Sequence, residues 1–269
     1  MSYDRELDAA LEAAAKAGRI LQDRYAQFPA IPDAPASIST DADRESQEII
    51  LKHLRGLFPE DALCAEEITP ILAGAAHTGG RLWVVDPIDG TRGFARKNGE
   101  FSVMVAFVDK GQPAVGVVLE PAHLRLTYAV RGGGCWRCDG EHQSQVACRV
   151  SSTSELSEAT LTQSHSRNPG MRSRLVQALG PARVVETYSA GIKLALVARG
   201  EADLYLNTYD AFHDWDICAG QLLVEEAGGR VTGLAGQELR YGLPGAWQRH
   251  GLLASNGRLH EAAVQKMMA

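Results

Sequence analysis

The chain has 269 residues, 45% of them hydrophobic and 22% charged, a balance that can bury one large core or two fused lobes and that excludes disordered and fibrous classes. Its formal net charge of −6 provides no basic footprint for a nucleic-acid polymer or an anionic membrane, so any phosphate it binds must be met by local groups. Short, charge-interrupted apolar runs and a start that leads from Met1 into Asp4, Arg5 and Glu6 predict neither a signal peptide nor a membrane span, and five scattered cysteines argue for a reducing cytoplasm.

Taken in order, Leu7, Leu11, Ala14, Ala15, Ile20 and Leu21 recur among charges and predict an amphipathic helix over 4–27. Pro29, Pro32 and Pro35 break it. A second helix is predicted over 42–58 from the spacing of Ile49, Ile50, Leu54, Leu57 and Phe58, capped by Asp41 or Asp43 and stopped by Pro59. Strands are predicted over 82–85, 101–108 and 114–119, the last two joined at Lys110-Gly111, then over 126–130 before three glycines. After Ser151 strands alternate with helices: strand 159–163, helix 171–179, strand 184–186, helix 190–199, strand 204–206 and helix 215–227. The simplest division is two lobes, 1–150 and 151–269, in one compact unit without a flexible linker.

The segment Trp83-Val84-Val85-Asp86-Pro87-Ile88-Asp89-Gly90-Thr91-Arg92-Gly93-Phe94 carries the chemistry. A strand ending in Asp86, a turn forced by Pro87 and a second carboxylate at Asp89 bring two acids and the Ile88 carbonyl toward one point, the hard oxygen set that Mg²⁺ prefers. Backbone N–H groups after Asp89, at Gly90-Thr91, are placed to receive phosphate oxygens. An Asp-Pro turn followed by a helix cap is the plainer reading. Likewise, Glu66-Glu67 alone reads as a solvated loop, and Asp216, before the nearly uncharged stretch from Ile217 to Val224, as a helix cap or a metal ligand.

Together these segments resemble the inositol monophosphatase superfamily of metal-dependent phosphatases. The resemblance rests on Glu66-Glu67, on Asp86-Pro-Ile-Asp89-Gly-Thr91, on Trp215-Asp216 followed by Glu226-Ala-Gly-Gly229, and on Ser39-Thr40-Asp41-Ala42-Asp43, and it spans nearly the whole chain. It implies a layered αβαβα sandwich of α+β and α/β character with the site between the lobes. It further implies two or three Mg²⁺ ions held by Glu66, Asp86, the Ile88 carbonyl, Asp89 and Asp216, with Asp43 as an outer carboxylate tied to the weaker ion. Such a cluster of carboxylates is tolerable only with cations present. The implied reaction is in-line attack of water on a small-molecule phosphate ester, with Glu66 and Thr91 positioning the water and Asp216 orienting the water that protonates the departing oxygen. Li⁺ inhibition is a family trait, and family members are often homodimers.

Arg92-Gly93-Phe94 and the run from Asn98 to Val103 look most like the 3′(2′),5′-bisphosphate nucleotidase branch, which acts on adenosine 3′,5′-bisphosphate. Gly90, Thr91, Ser164, His165, Ser189, Gly191, Lys193 and Asn207 fall where that branch contacts substrate, with Lys193, together with Arg172 or Arg174, holding the phosphate that is not cleaved. Two positions depart from the branch: Ala190 where it usually carries Ser, and Asn207 where it tends to carry Arg. Inositol-1-monophosphatase or another sugar or alcohol phosphatase is the alternative. A non-catalytic binding protein of the same fold is the rival from another class.

Cys135-Trp-Arg-Cys138, with His142 and Cys148 nearby, can be drawn as a zinc site, but a hairpin is expected there. Gly132 to Gly134 is no phosphate loop, because no Lys-Ser/Thr pair opens a helix after it.

Overall fold

The computed structural model describes residues 2–140, 144–166 and 172–268. Helix α1 (Asp4–Gln27) is followed by α2 (Asp41–Leu57), whose start is closed by a capping box: Thr40 accepts from the backbone and Asp43 accepts from the Thr40 N–H. Next come β1 (Ala62–Ala65), the short α3 (Pro70–Ala73), β2 (Arg81–Asp89) and α4 (Thr91–Ala95). Strands β3 (Ser102–Asp109), β4 (Gln112–Glu120), β5 (Arg125–Val130), β6 (Gly134–Asp139) and β7 (Val146–Ala147) complete a seven-stranded sheet in sequence order, antiparallel except for the parallel β1–β2 pair. The chain then runs through β8 (Thr160–Gln163), α5 (Arg174–Leu179), β9 (Arg183–Glu186), α6 (Ala190–Ala198), β10 (Leu204–Asn207), β11 (Phe212–His213), α7 (Asp214–Glu226), β12 (Arg230–Thr232), β13 (Trp247–Gln248), β14 (Leu252–Ser255) and α8 (His260–Met268). Five of these strands form a second sheet in the order β12-β14-β10-β8-β9.

These elements stack in five layers. Helices α1 and α2 cover one face of the first sheet, α6 and α7 lie between the two sheets, and α5 and α8 cover the far side of the second. Strand β3 explains why its sequence shows no polar alternation: Val103, Val105 and Phe107 enter the core under α1 and α2, whereas Met104, Ala106 and Val108 enter the core under α7. Packing against α7 is close. A Cβ on Gly116 of β4 would lie 2.5 Å from the Ala219 carbonyl oxygen, and one on Gly220 would lie 2.3 Å from Leu194 of α6. Among the described residues no helix is long and apolar enough to cross a membrane.

Strand β2 corrects one sequence expectation. It does not end at Asp86 but continues through Pro87 and Ile88 to Asp89, with Asp86 opposite Met104 and Asp89 opposite Ser102. Three steps on β2 match two on β3, which makes a bulge, and a bulge is where a strand tolerates proline. The extra residue also changes parity: residues three apart face opposite sides of a regular strand, but here both carboxylates come to the same side. Other predicted elements match within a few residues, while β1, α3, α8 and the short strands after α7 carry no strong sequence signal. Met171, the expected first residue of the helix before Leu179, lies outside the described residues.

Candidate active site

A cleft of about 600 Å³ opens between the carboxyl end of β2 and the start of α6, and Glu66, Asp86, Ile88, Asp89 and Asp216 all line it. Each arrives from a different support. Parallel pairing places Ala65 beside Val85, so Glu66 leaves β1 next to Asp86. Asp216 sits in the first turn of α7, fixed by a 2.6 Å hydrogen bond that its Oδ2 accepts from the His213 N–H. Asp89 accepts from the N–H groups of Ala190 (3.0 Å) and Gly191 (2.7 Å) and from the Ser189 hydroxyl, which ties β2 to the start of α6. Among the described residues no three His, Cys, Asp or Glu side chains already stand at metal-ligand spacing, so the acids share a cleft wall rather than a closed cage.

The wall nonetheless fits a hard divalent cation. Asp86 is only 2% exposed and its Oδ1 is buried without any hydrogen-bond partner, a state that is expensive for a carboxylate unless a cation or a proton meets it. Glu66, Asp86, Asp89, Asp216 and the Ile88 carbonyl offer only oxygen donors, the set that Mg²⁺ takes.

Electrostatics agree. Burial, with Glu66, Asp89, Asp216 and Asp43 adding repulsion, holds the Asp86 carboxyl well above the carboxylate range. Glu66 is open to the cleft by surface area, yet loss of water on its protein side and the charges of Asp216, Asp43, Glu67 and Asp89 push it up to about 8. Burial and then the charges of Asp89 and Asp214 raise Asp216 to about 7, against the His213 N–H and Lys193, which pull it down. Because the unfolded values are 4.5 for Glu66 and 3.8 for Asp216, the metal-free folded chain binds more protons than the unfolded chain from about pH 4 to about pH 8, and its stability falls as pH rises through that window. A divalent cation takes the place of those protons. The thermal midpoint in chelator is therefore expected to drop between about pH 5.5 and about pH 8.5, and added Mg²⁺ to raise it more at the higher pH. Equal Mg²⁺ shifts at both pH values in a thermal melt would contradict this assignment.

Behind the wall stand the outer carboxylate Asp43 and several positions that the sequence places at the substrate. Asp43 is 1% exposed and does not reach the cleft; its Oδ2 accepts from the Thr40 N–H (2.8 Å) and hydroxyl (2.7 Å), and its Oδ1 lies 2.9 Å from the Thr91 hydroxyl. That hydroxyl is also 3.0 Å from the Ile88 carbonyl. Ser189 and Gly191 face Asp89 rather than the cleft. Lys193 lines the cleft, but its ammonium already donates to Ser164 Oγ (3.1 Å) and to the carbonyls of Thr187 (2.8 Å) and Tyr188 (3.0 Å), which uses all three of its protons. Burial lowers it to about 8, and the charges of Asp89, Glu100 and Asp216 oppose that shift. Arg172 and Arg174 are exposed and line no part of the cleft, and Arg172 donates to the Pro181 carbonyl. Of the three cations expected to hold a phosphate, Lys193 alone lines the cleft, and it is already bonded to the protein. Ser164, His165, Gly90 and Asn207 do line the cleft, with Asn207 donating to the Tyr205 hydroxyl at 3.2 Å.

The cleft is also lined by four aromatic side chains, Tyr188, Tyr205, Tyr209 and Phe212, and the Tyr188 ring lies 4.3 Å from that of His165. Glu100 holds this pair, taking hydrogen bonds from His165 Nε2 (2.7 Å) and the Tyr188 N–H (3.1 Å). Residues 36–39 form a further wall, and Arg92 a cationic one. No feature of the one-dimensional pattern distinguishes these aromatics from core residues. The drawn zinc site does not assemble: Cys135 and Cys138, three apart on β6, face opposite cores, and all five cysteines are buried and free. His142 lies outside the described residues.

Residues 3–268 match the family model described as the inositol monophosphatase family. The chain is 30% identical to the fructose-1,6-bisphosphatase/inositol-1-monophosphatase of Thermotoga maritima, over 96% of this chain and 94% of that one. It is 32% identical to the histidinol-phosphatase of Mycobacterium tuberculosis over the full length of both. It is also 32% identical to the 3′(2′),5′-bisphosphate nucleotidase CysQ of Salmonella typhimurium, over 75% of this chain and 78% of that one. Among solved structures, the inositol monophosphatase from Anabaena (Nostoc) sp. PCC 7120 superposes with a TM-score of 0.80 at 30% identity, covering 100% of this chain and 97% of that one.

Proposed function

Because the chain belongs to the inositol monophosphatase family, metal-dependent hydrolases of phosphoric monoesters, we propose that its particular substrate is a nucleoside 3′(2′),5′-bisphosphate, adenosine 3′,5′-bisphosphate first. One observation carries this reading: beside the acids the cleft carries Tyr188, with the His165 ring 4.3 Å from its own, and the exposed Tyr209, so that a phosphate at Asp86 and Asp89 leaves a flat base these aromatic side chains to meet. Base-on-aromatic stacking contributes roughly 1–3 kcal/mol. An inositol ring has no π face to stack.

Within this reading, Glu66, Asp86, Asp89, Asp216 and the Ile88 carbonyl hold Mg²⁺, taken as two or three ions, which supplies Lewis acidity and neutralises charge on the transferring phosphoryl group. The chain's own groups do the rest. With its proton directed to Asp43, the Thr91 hydroxyl keeps a lone pair for a water, and Glu66 accepts that water's proton from the open side of the cleft. Asp216, held by the His213 N–H, orients the water that returns a proton to the departing oxygen. A cytoplasmic setting and Li⁺ inhibition belong to the same proposal.

Steady-state assays of adenosine 3′,5′-bisphosphate against inositol 1-phosphate, fructose 1,6-bisphosphate and histidinol phosphate test it. A kcat/KM at least about tenfold higher for the nucleotide is expected. A preference for any of the other three ends the nucleotidase reading and leaves the phosphatase assignment standing.

A further inference from the structure

We propose that Arg92 is the residue that selects bisphosphorylated over monophosphorylated substrates, by pairing with the phosphate that is not cleaved; the inference rests on the nucleotidase reading and adds to it a residue and a mode of selection. Among the described residues three basic side chains line the cleft: Arg92, Lys193 and His165. Lys193 has spent its three protons on Ser164, Thr187 and Tyr188. His165 donates or accepts at Glu100 through Nε2, and its Nδ1 lies 3.6 Å from Glu186 Oε2.

Arg92 differs from both. Its Nε is buried without a hydrogen-bond partner, and among the described residues its guanidinium has no carboxylate within ion-pair distance. Among the described residues the one contact of its guanidinium is with the ring of Tyr188, whose centroid lies 5.2 Å from its Cζ. Half-buried, unpaired and set over an aromatic face, it stands on the cleft wall one residue after Thr91. A guanidinium left in this state has donors arranged for two phosphate oxygens at once, and such an ionic pair forms strongly where water is scarce. A substrate with a single phosphate, placed at the carboxylates, gives this cation nothing to meet.

The test compares adenosine 3′,5′-bisphosphate with adenosine 3′-monophosphate, which share the scissile phosphate, sugar and base and differ only in the remote phosphate. The wild type is expected to favour the bisphosphate by about 10- to 100-fold in kcat/KM, mainly through KM. In Arg92→Ala that ratio is expected to fall by about the same factor, while Arg92→Lys, which keeps the charge and loses the planar fork, retains part of it. A merely structural role would lower both substrates together and leave the ratio where it was, and that result overturns the inference. Arg92→Gln, with similar bulk, gives the same reading if the alanine variant does not fold. Should the wild type act on fructose 1,6-bisphosphate rather than the nucleotide, the nucleotidase reading fails, and the ratio of that sugar bisphosphate to fructose 1-phosphate reads Arg92 instead: a collapse in Arg92→Ala upholds the residue's role and no change refutes it.

Discussion

Asp86→Asn is expected to lower Mg²⁺-dependent turnover by at least about three orders of magnitude while the chain remains folded, since the metal's charge stabilisation of a phosphoryl transition state amounts to several kcal/mol. The substitution keeps size and shape at a site that is 2% exposed, and so opens no cavity. It replaces the one carboxylate oxygen of the cleft that is buried with nothing to bond, and it removes a charge that burial and Glu66 both oppose. The metal-free variant should accordingly melt no lower than the wild type, and Mg²⁺ should no longer raise its midpoint. Kinetics and thermal melts with and without Mg²⁺ read the two halves separately. A variant that keeps turnover within about tenfold would remove Asp86 from the metal site, and one that lost turnover only because it unfolded would remove the electrostatic argument. The same variant addresses the rival class, because a binding module of this fold would keep its phosphate-ligand affinity.

Thr91→Val comes second, with kcat expected to fall about 10²- to 10³-fold and KM to change little, the range that loss of a positioned proton-transfer group produces. Valine fills the space but removes the hydroxyl that links Asp43 to the cleft, and Asp43 Oδ1 then loses its donor inside the protein. An unsatisfied buried acceptor costs roughly 1–3 kcal/mol, so a lower thermal midpoint accompanies the kinetic loss. Thr91→Ser, with the hydroxyl restored, should recover most of both. Full activity in the valine variant would show that Asp43 and Thr91 serve the fold of α2 and α4 and not the reaction.

How much of this was legible beforehand varies by element. Helix α1 ends where the proline run begins, and β3 and β4 stand out as long apolar runs around Lys110-Gly111, because local patterning dictates both. The chain through Pro87 was misread as a turn, since a proline in a strand is a breaker unless the partner strand supplies a bulge, and the partner is not visible from β2 itself. Strand β1 escaped notice for a related reason: four residues, buried on both sides and paired in parallel, have no period to show. At the site, each acid alone reads as a loop, turn or cap residue, and only the combination of segments far apart in the chain marks them as a set. The bonded state of Lys193 is not legible in the same way, because it depends on where the Thr187 and Tyr188 carbonyls fall, which no spacing rule encodes.

Helix α7 has no clearance on either side: β4 touches it through a residue without a side chain, and it touches α6 through another. An interior methyl group at position 116 or 220 would therefore not fill a gap but would be passed on as displacement of the whole helix, and Asp216 rides on its first turn. The reach of the Asp216 carboxylate into the cleft is in this way gauged by two hydrogen atoms on the opposite flanks of its support, so that mutational tolerance deep in the interior and geometry at the cleft wall are mechanically the same quantity.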